Sequence, residues 1–207
     1  MRRVLHIPIL HSATDLGSLS ESVRTEYTRA LGPAGWSRHQ EAVELLWSAI
    51  RARIEALDLD YARTRIYQDG LPVCGFERKI VEELAKAGSS NHQLVADLLE
   101  KGAVLEGTED PQLLVQEYQL QQRISQGARS LVRKEGLSTG KGGAAKTVPD
   151  TTPPPDAEAQ AVLQARDRFV ADRIVKTLQE GETALVFLGA AHRLDGLGQS
   201  GIRVETI

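Results

Sequence analysis

The residues of this chain that could do chemistry stand where short apolar runs end. His192 closes Gly189-Ala190-Ala191-His192, directly after the unbroken run Ala184-Leu-Val-Phe-Leu188. His11 and Ser12 follow the run 4–10, Gln68 and Asp69 follow 64–67, and Glu106 and Glu109 follow 103–105. Two imidazoles with two or three carboxylates form a capable set. An imidazole exchanges a proton near neutral pH, and a neighbouring carboxylate tunes it for taking one from water. Neutral imidazole nitrogen together with carboxylate oxygen is also a donor set for a divalent cation such as zinc or manganese. Glu106 comes straight after Ala-Val-Leu, where a buried carboxylate needs a partner or a task. It is the expected general base. His11, Glu106 and His192 are the expected metal donors, and Ser12, Gln68, Asp69 and Glu109 the expected ligand-binding groups. The competing structural readings are that Glu109 and Asp110 are favourable charge at a helix start, and that Asp69-Gly70 is a turn.

These groups can meet only if the runs are strands with a common direction. The run 184–188 is apolar throughout and bounded by glycine, as in a strand covered on both faces. Runs 4–10, 64–67 and 103–105 are shorter strands, and 202–207 is a last one. Pro8 cannot donate to a ladder, so it belongs at a sheet edge, a bulge or a strand end. Between the strands lie helical patterns: 19–31, stopped by Gly32-Pro33; a strongly amphipathic stretch from Ser37; 76–87; 91–101, with Ser89 or Ser90 as its cap; one opened by Asp110-Pro111; and 157–180. Long helical crossovers predict an α/β fold, a mainly parallel sheet of about five strands with helices packed on its faces. In such sheets ligands bind at the carboxyl ends of the strands. That edge is where all the groups above converge. His6 is expected to pack inside the first strand, and His39 and His92 to lie on solvated helix faces.

The 207 residues, 41% hydrophobic and 26% charged with a formal net charge of −3, read as one globular domain, 1–207, and remove any general argument for nucleic-acid binding. No run approaches the roughly 20 apolar residues of a membrane span. A single cysteine, Cys74, excludes an internal disulfide and suits a reducing, cytoplasmic location. Residues 136–156 are rich in Gly, Lys, Thr and Pro and read as a flexible insertion. Within them Lys141-Gly-Gly-Ala-Ala-Lys146-Thr147 imitates a phosphate-binding loop. No buried strand precedes it and prolines follow it, so the anion cradle is not built.

Arg166-Asp167, Ala171, Ile174, the Gly181 turn, the apolar strand and Gly189-x-x-His192 together resemble the C-terminal signature of the TraB/GumN (pheromone-shutdown-like) family. The resemblance covers about the last forty residues. In that family an arginine-bearing helix leads into a strand ending Gly-x-x-His, and the wider superfamily includes erythromycin-esterase-like enzymes, ChaN-like haem-binding proteins and Tiki-type proteases. It implies that His192 is the signature histidine, Arg166 the helix arginine, and His11 and Glu106 the other polar members. The expected activity is then hydrolysis of an ester or amide in a small molecule or peptide, metal-assisted or not. Arg166 would stabilise developing negative charge. The alternatives are a pocket that binds a small ligand without turnover, or haem through His11, His192 or Tyr67, and an interaction or signalling protein with a vestigial pocket.

Overall fold

The computed structural model describes residues 1–12, 14–15, 20–135 and 157–207. The insertion expected at 136–156, with its phosphate-loop imitation, lies outside the described residues. Five parallel strands, β1 (Arg2–Ile9), β2 (Thr64–Gln68), β3 (Val104–Glu106), β4 (Thr183–Gly189) and β5 (Ile202–Thr206), form one sheet in the order β3-β2-β4-β1-β5. The helices are α1 (Ser20–Glu55), α2 (Glu77–Lys86), α3 (Ser90–Glu100), α4 (Pro111–Glu135) and α5 (Ala157–Thr177). The α/β expectation is met, and no helix among the described residues is long and apolar enough to cross a membrane.

β4 is the middle strand, flanked by β2 and β1. This explains its run of apolar residues: Ala184 to Leu188 are all fully buried, because both faces are covered. Alternation divides the core in two. Leu185 and Phe187, with Leu5, Ile7, Ile9 and Ile66, face α1, α2 and α3. Val186 and Leu188, with Val4 and Tyr67, face α5. A fully buried side chain such as Phe187 contributes about 2–3 kcal/mol by leaving water.

Pro8 sits in an inner strand, yet the ladder tolerates it. Ile207 N donates to His6 O, so the even positions of β1 turn their polar groups toward β5. The register on that side ends at His6↔Thr206. Pro8, two residues further on, therefore points its nitrogen past the end of β5, where no donor is needed.

Gly32 (φ 71°, ψ 171°) breaks α1 at the predicted stop, and Pro33 lies in the first turn beyond it. The rings of Tyr27 and His39 stack across the break, centroids 4.4 Å apart. Further along α1, Trp47 is buried and donates its indole N–H to Leu10 O, 3.2 Å, tying the helix to the end of β1. Ser89 caps α3, its hydroxyl accepting from His92 N. Asp110 Oδ1 does the same for Gln112 N and Leu113 N at the start of α4.

Candidate functional site

Asp69 is the first residue beyond β2, on the α5 side shared with Tyr67. Its Oδ2 accepts from Gly189 N (2.8 Å) at the end of β4 and lies 3.2 Å from His11 Nε2 beyond β1. A Cβ on Gly189 would come within 3.0 Å of Asp69 Oδ2 and 3.7 Å of both imidazoles. A side chain here would crowd the Asp69 carboxylate, so glycine suits the close approach. Asp69 Oδ1 accepts from Arg166 Nη2 (2.7 Å) and lies 3.6 Å from His192 Nε2. The other nitrogen of His192, Nδ1, is 2.7 Å from Asp167 Oδ1 on α5.

Arg166 is the hub. Its Nε and Nη2 grip Glu109 as a fork (3.2 and 2.7 Å), Nη2 also reaches Asp69, and Nη1 reaches Glu117 on α4. The side chains of Arg166 and Asp69 are 5% exposed and that of Glu109 is 0%. Such depth is tolerable only because each charge is paired and hydrogen-bonded. Four of the five N–H groups of Arg166 are directed at carboxylates. The expected role for it, stabilising charge on a substrate, gives way to holding Asp69 and Glu109 in place.

Electrostatics set these groups apart. Burial would raise the Asp69 pKa, but the hydrogen bond from His11 and the charges of His192 and Arg166 hold it well below the usual carboxylate range. Burial works against a charged His11; its bond to Asp69 and the charges of Asp69 and Asp15 outweigh this and raise its pKa. Glu109 is raised, by burial first and by the neighbouring Asp69, against the pull of Arg166. His6, inside β1, is lowered by burial and by the charge of His192.

A cavity of about 490 Å³ opens beside this cluster, lined by His11, Asp69, Arg166 and His192 together with α4 and α5 side chains such as Leu114 and Leu163. Asp69, Glu109 and His192 each offer a ligand atom, all within 4.8 Å of one another, and so could hold a metal ion. Arg166 Nη2 lies 2.7 Å from both carboxylates. A cation there would have to replace the guanidinium between them.

Of the residues expected at this edge, the structure brings His11, Asp69, Glu109, Arg166 and His192 together. It does not bring Glu106, expected as general base and metal donor. Register pairs Glu106 with Tyr67, two residues short of the level of Asp69. There it is ion-paired to Arg65 and to Arg173 (3.2 Å). Glu109, three residues on, reaches the edge because the chain after β3 pairs again with the chain after β2: Glu109 N donates to Leu71 O and Val73 N to Glu109 O. Gln68, expected in the ligand pocket, turns its side chain to the opposite face and is fully buried there. Ser12 bonds Asp15, its N donating to Asp15 Oδ2 (2.7 Å), and does not line the cavity beside His192. Tyr67, named as a haem ligand, is buried in the core with its hydroxyl 2.7 Å from Thr177 Oγ1 and its pKa pushed up to about 12 by burial.

Asp167, Glu117 and Asp15 escaped the sequence reading. Only Asp167 carried a signal, its place beside Arg166. His92, expected on the surface, is 5% exposed. Its Nδ1 lies 2.7 Å from Ser89 Oγ and 3.2 Å from Asp15 Oδ1. Serine, histidine and aspartate of a nucleophilic triad are thus present. However, Ser89 is fully buried, caps α3, and shares one ring nitrogen with Asp15, so the trio is a structural clasp. Compared with models of protein families, with curated proteins and with solved structures, the chain finds no match.

Proposed function

We propose that this protein hydrolyses an ester or amide in a small molecule or peptide, with His192 as the base that takes the proton from the attacking water. The observation that carries the reading is the 2.7 Å contact between His192 Nδ1 and Asp167. A carboxylate there keeps the ring proton on Nδ1, leaves Nε2 as the acceptor on the Asp69 side, and steadies the imidazolium that forms. Water adds to the carbonyl carbon as its proton passes to Nε2. Collapse of the tetrahedral intermediate breaks the bond to the leaving group, which takes that proton back. His11, whose charged form Asp69 favours, faces the same cavity and replaces Arg166 as the group opposite the developing oxyanion. The resemblance to the TraB/GumN signature implies the same two residues, His192 as the signature histidine and Arg166 as the helix arginine. A cytoplasmic location belongs to the proposal, in keeping with the lone Cys74.

A second reading is favoured by the Asp69, Glu109 and His192 trio. These residues would hold zinc or manganese, which lowers the pKa of bound water. One experiment separates the two. Protein purified without chelator or nickel resin is assayed on chromogenic esters and anilides, alongside its His192→Ala and Asp167→Asn variants, with elemental analysis of each. The expected result is turnover without bound metal, with kcat/KM falling about 10²–10⁴-fold in folded His192→Ala and less in Asp167→Asn. About one metal per chain, lost in His192→Ala, favours the metal reading. Equal rates in wild type and His192→Ala remove His192 from the mechanism.

A further inference from the structure

We infer that internal water is bound between the end of β2 and the first turn of α3, held by the carboxamides of Gln68 and Asn91. Gln68 is 0% and Asn91 1% exposed, and none of their four side-chain polar atoms has a hydrogen-bond partner among the described residues. They occupy the same layer. Gln68 follows Ile66 by two residues and so faces the same core as Ile66, which also contains Leu94, Val95 and Leu98. Asn91 precedes those three by three, four and seven residues, on the same stripe of α3. They also occupy the same end of the sheet: the α3 N-terminus meets the loop after β1, where Ser89 Oγ donates to Asp15 Oδ1 (2.5 Å), and Gln68 ends β2.

An unpaired buried amide costs stability, so four such atoms at the same end of one core layer call for partners. The neighbourhood selects the ligand. The Asp15 carboxylate already lies at the start of α3, bonded to the Ser89 hydroxyl and beside the His92 ring, which disfavours a further anion. The two carboxamides supply donors and acceptors alike and no charge, which suits a neutral molecule that is both. Water meets this, making about three bonds per buried molecule. The site would lie directly beneath Asp69 and tie the strand that bears it to the helix that clasps Asp15.

The test is a crystal structure of the intact protein at about 1.5 Å, joined to a double-mutant cycle of Gln68→Leu and Asn91→Leu. The expected result is a water within hydrogen-bond reach of both carboxamides. Each single variant should lower Tm by about 3–8 °C, and the double variant by less than the sum. A dry gap, or a direct Gln68–Asn91 amide pair, overturns the inference. So does a Tm in either single variant equal to or above that of wild type. The wild-type structure decides even if a variant fails to fold, and neither measurement depends on the hydrolase reading.

Discussion

Two charged clusters share the α5 side of the sheet, and they are built on opposite plans. In the inner one Arg65 and Arg173 meet Glu106 and Glu182, two cations for two anions, with side chains 14–20% exposed and no histidine. At the edge, one arginine serves Asp69, Glu109 and Glu117, two imidazoles adjoin it, and a cavity opens beside it. The inner cluster is balanced and complete. The edge cluster has more carboxylates than arginines, an imbalance that a proton on Glu109, histidine protons, a cation or a ligand can answer. Sharing one cation among buried carboxylates costs stability, and its place beside a cavity is what supports the proposed site.

The largest test of this contrast is Arg166→Met against Arg65→Met. Removing Arg166 leaves Asp69 and Glu109 buried without their cation and should cost about 3–5 kcal/mol in denaturant unfolding. Removing Arg65, whose partners retain Arg173 or some water, should cost about 1–2 kcal/mol. Equal losses would mean that the clusters are of one kind.

Next in size is Gly189→Ala. The added methyl presses on Asp69 Oδ2 at the point where β4 also donates to it. A loss of about 1–3 kcal/mol is expected, with the proposed hydrolysis falling more than stability, since Asp69 and both imidazoles around Gly189 line the cavity. Unchanged turnover would show that the spacing of Asp69 and the imidazoles is not critical.

The smallest effect is a matter of pH. His11 has a raised pKa in the folded state, so its contribution is fully present below its ordinary 6.5 and is lost as pH rises through the raised value. The stability gap between wild type and His11→Gln should therefore be widest in mild acid and close on the alkaline side. It should stay below about 1 kcal/mol, because a third of the ring is open to screening. A gap that widens toward alkali would reverse the assigned charge of His11.

The backbone plan was legible because it rests on local pattern: the apolar run of β4, the Gly32-Pro33 stop, the Ser89 and Asp110 caps. Convergence of strand ends followed from the long helical crossovers. What stayed hidden was register. Glu106 and Glu109 are three residues apart, and only the pairing of Tyr67 with Glu106 decides which one reaches the edge. Asp167 and His92 were hidden for another reason. A polar residue on a helix looks solvated until the distant partner is known, and theirs come from 25 residues away for Asp167 and from the loop after β1 for His92.

The order of strands has a consequence for the nascent chain. Among the described residues β1 pairs only with β4 and β5, Val4 with Ala184 and with Val204. A ribosome adding about 5–20 residues per second needs roughly ten seconds or more to make the chain between them. Throughout that interval β1 is an apolar strand with two open edges and no native neighbour. Pro8 leaves one of those edges a backbone donor short, so a mispaired strand there would find an incomplete ladder.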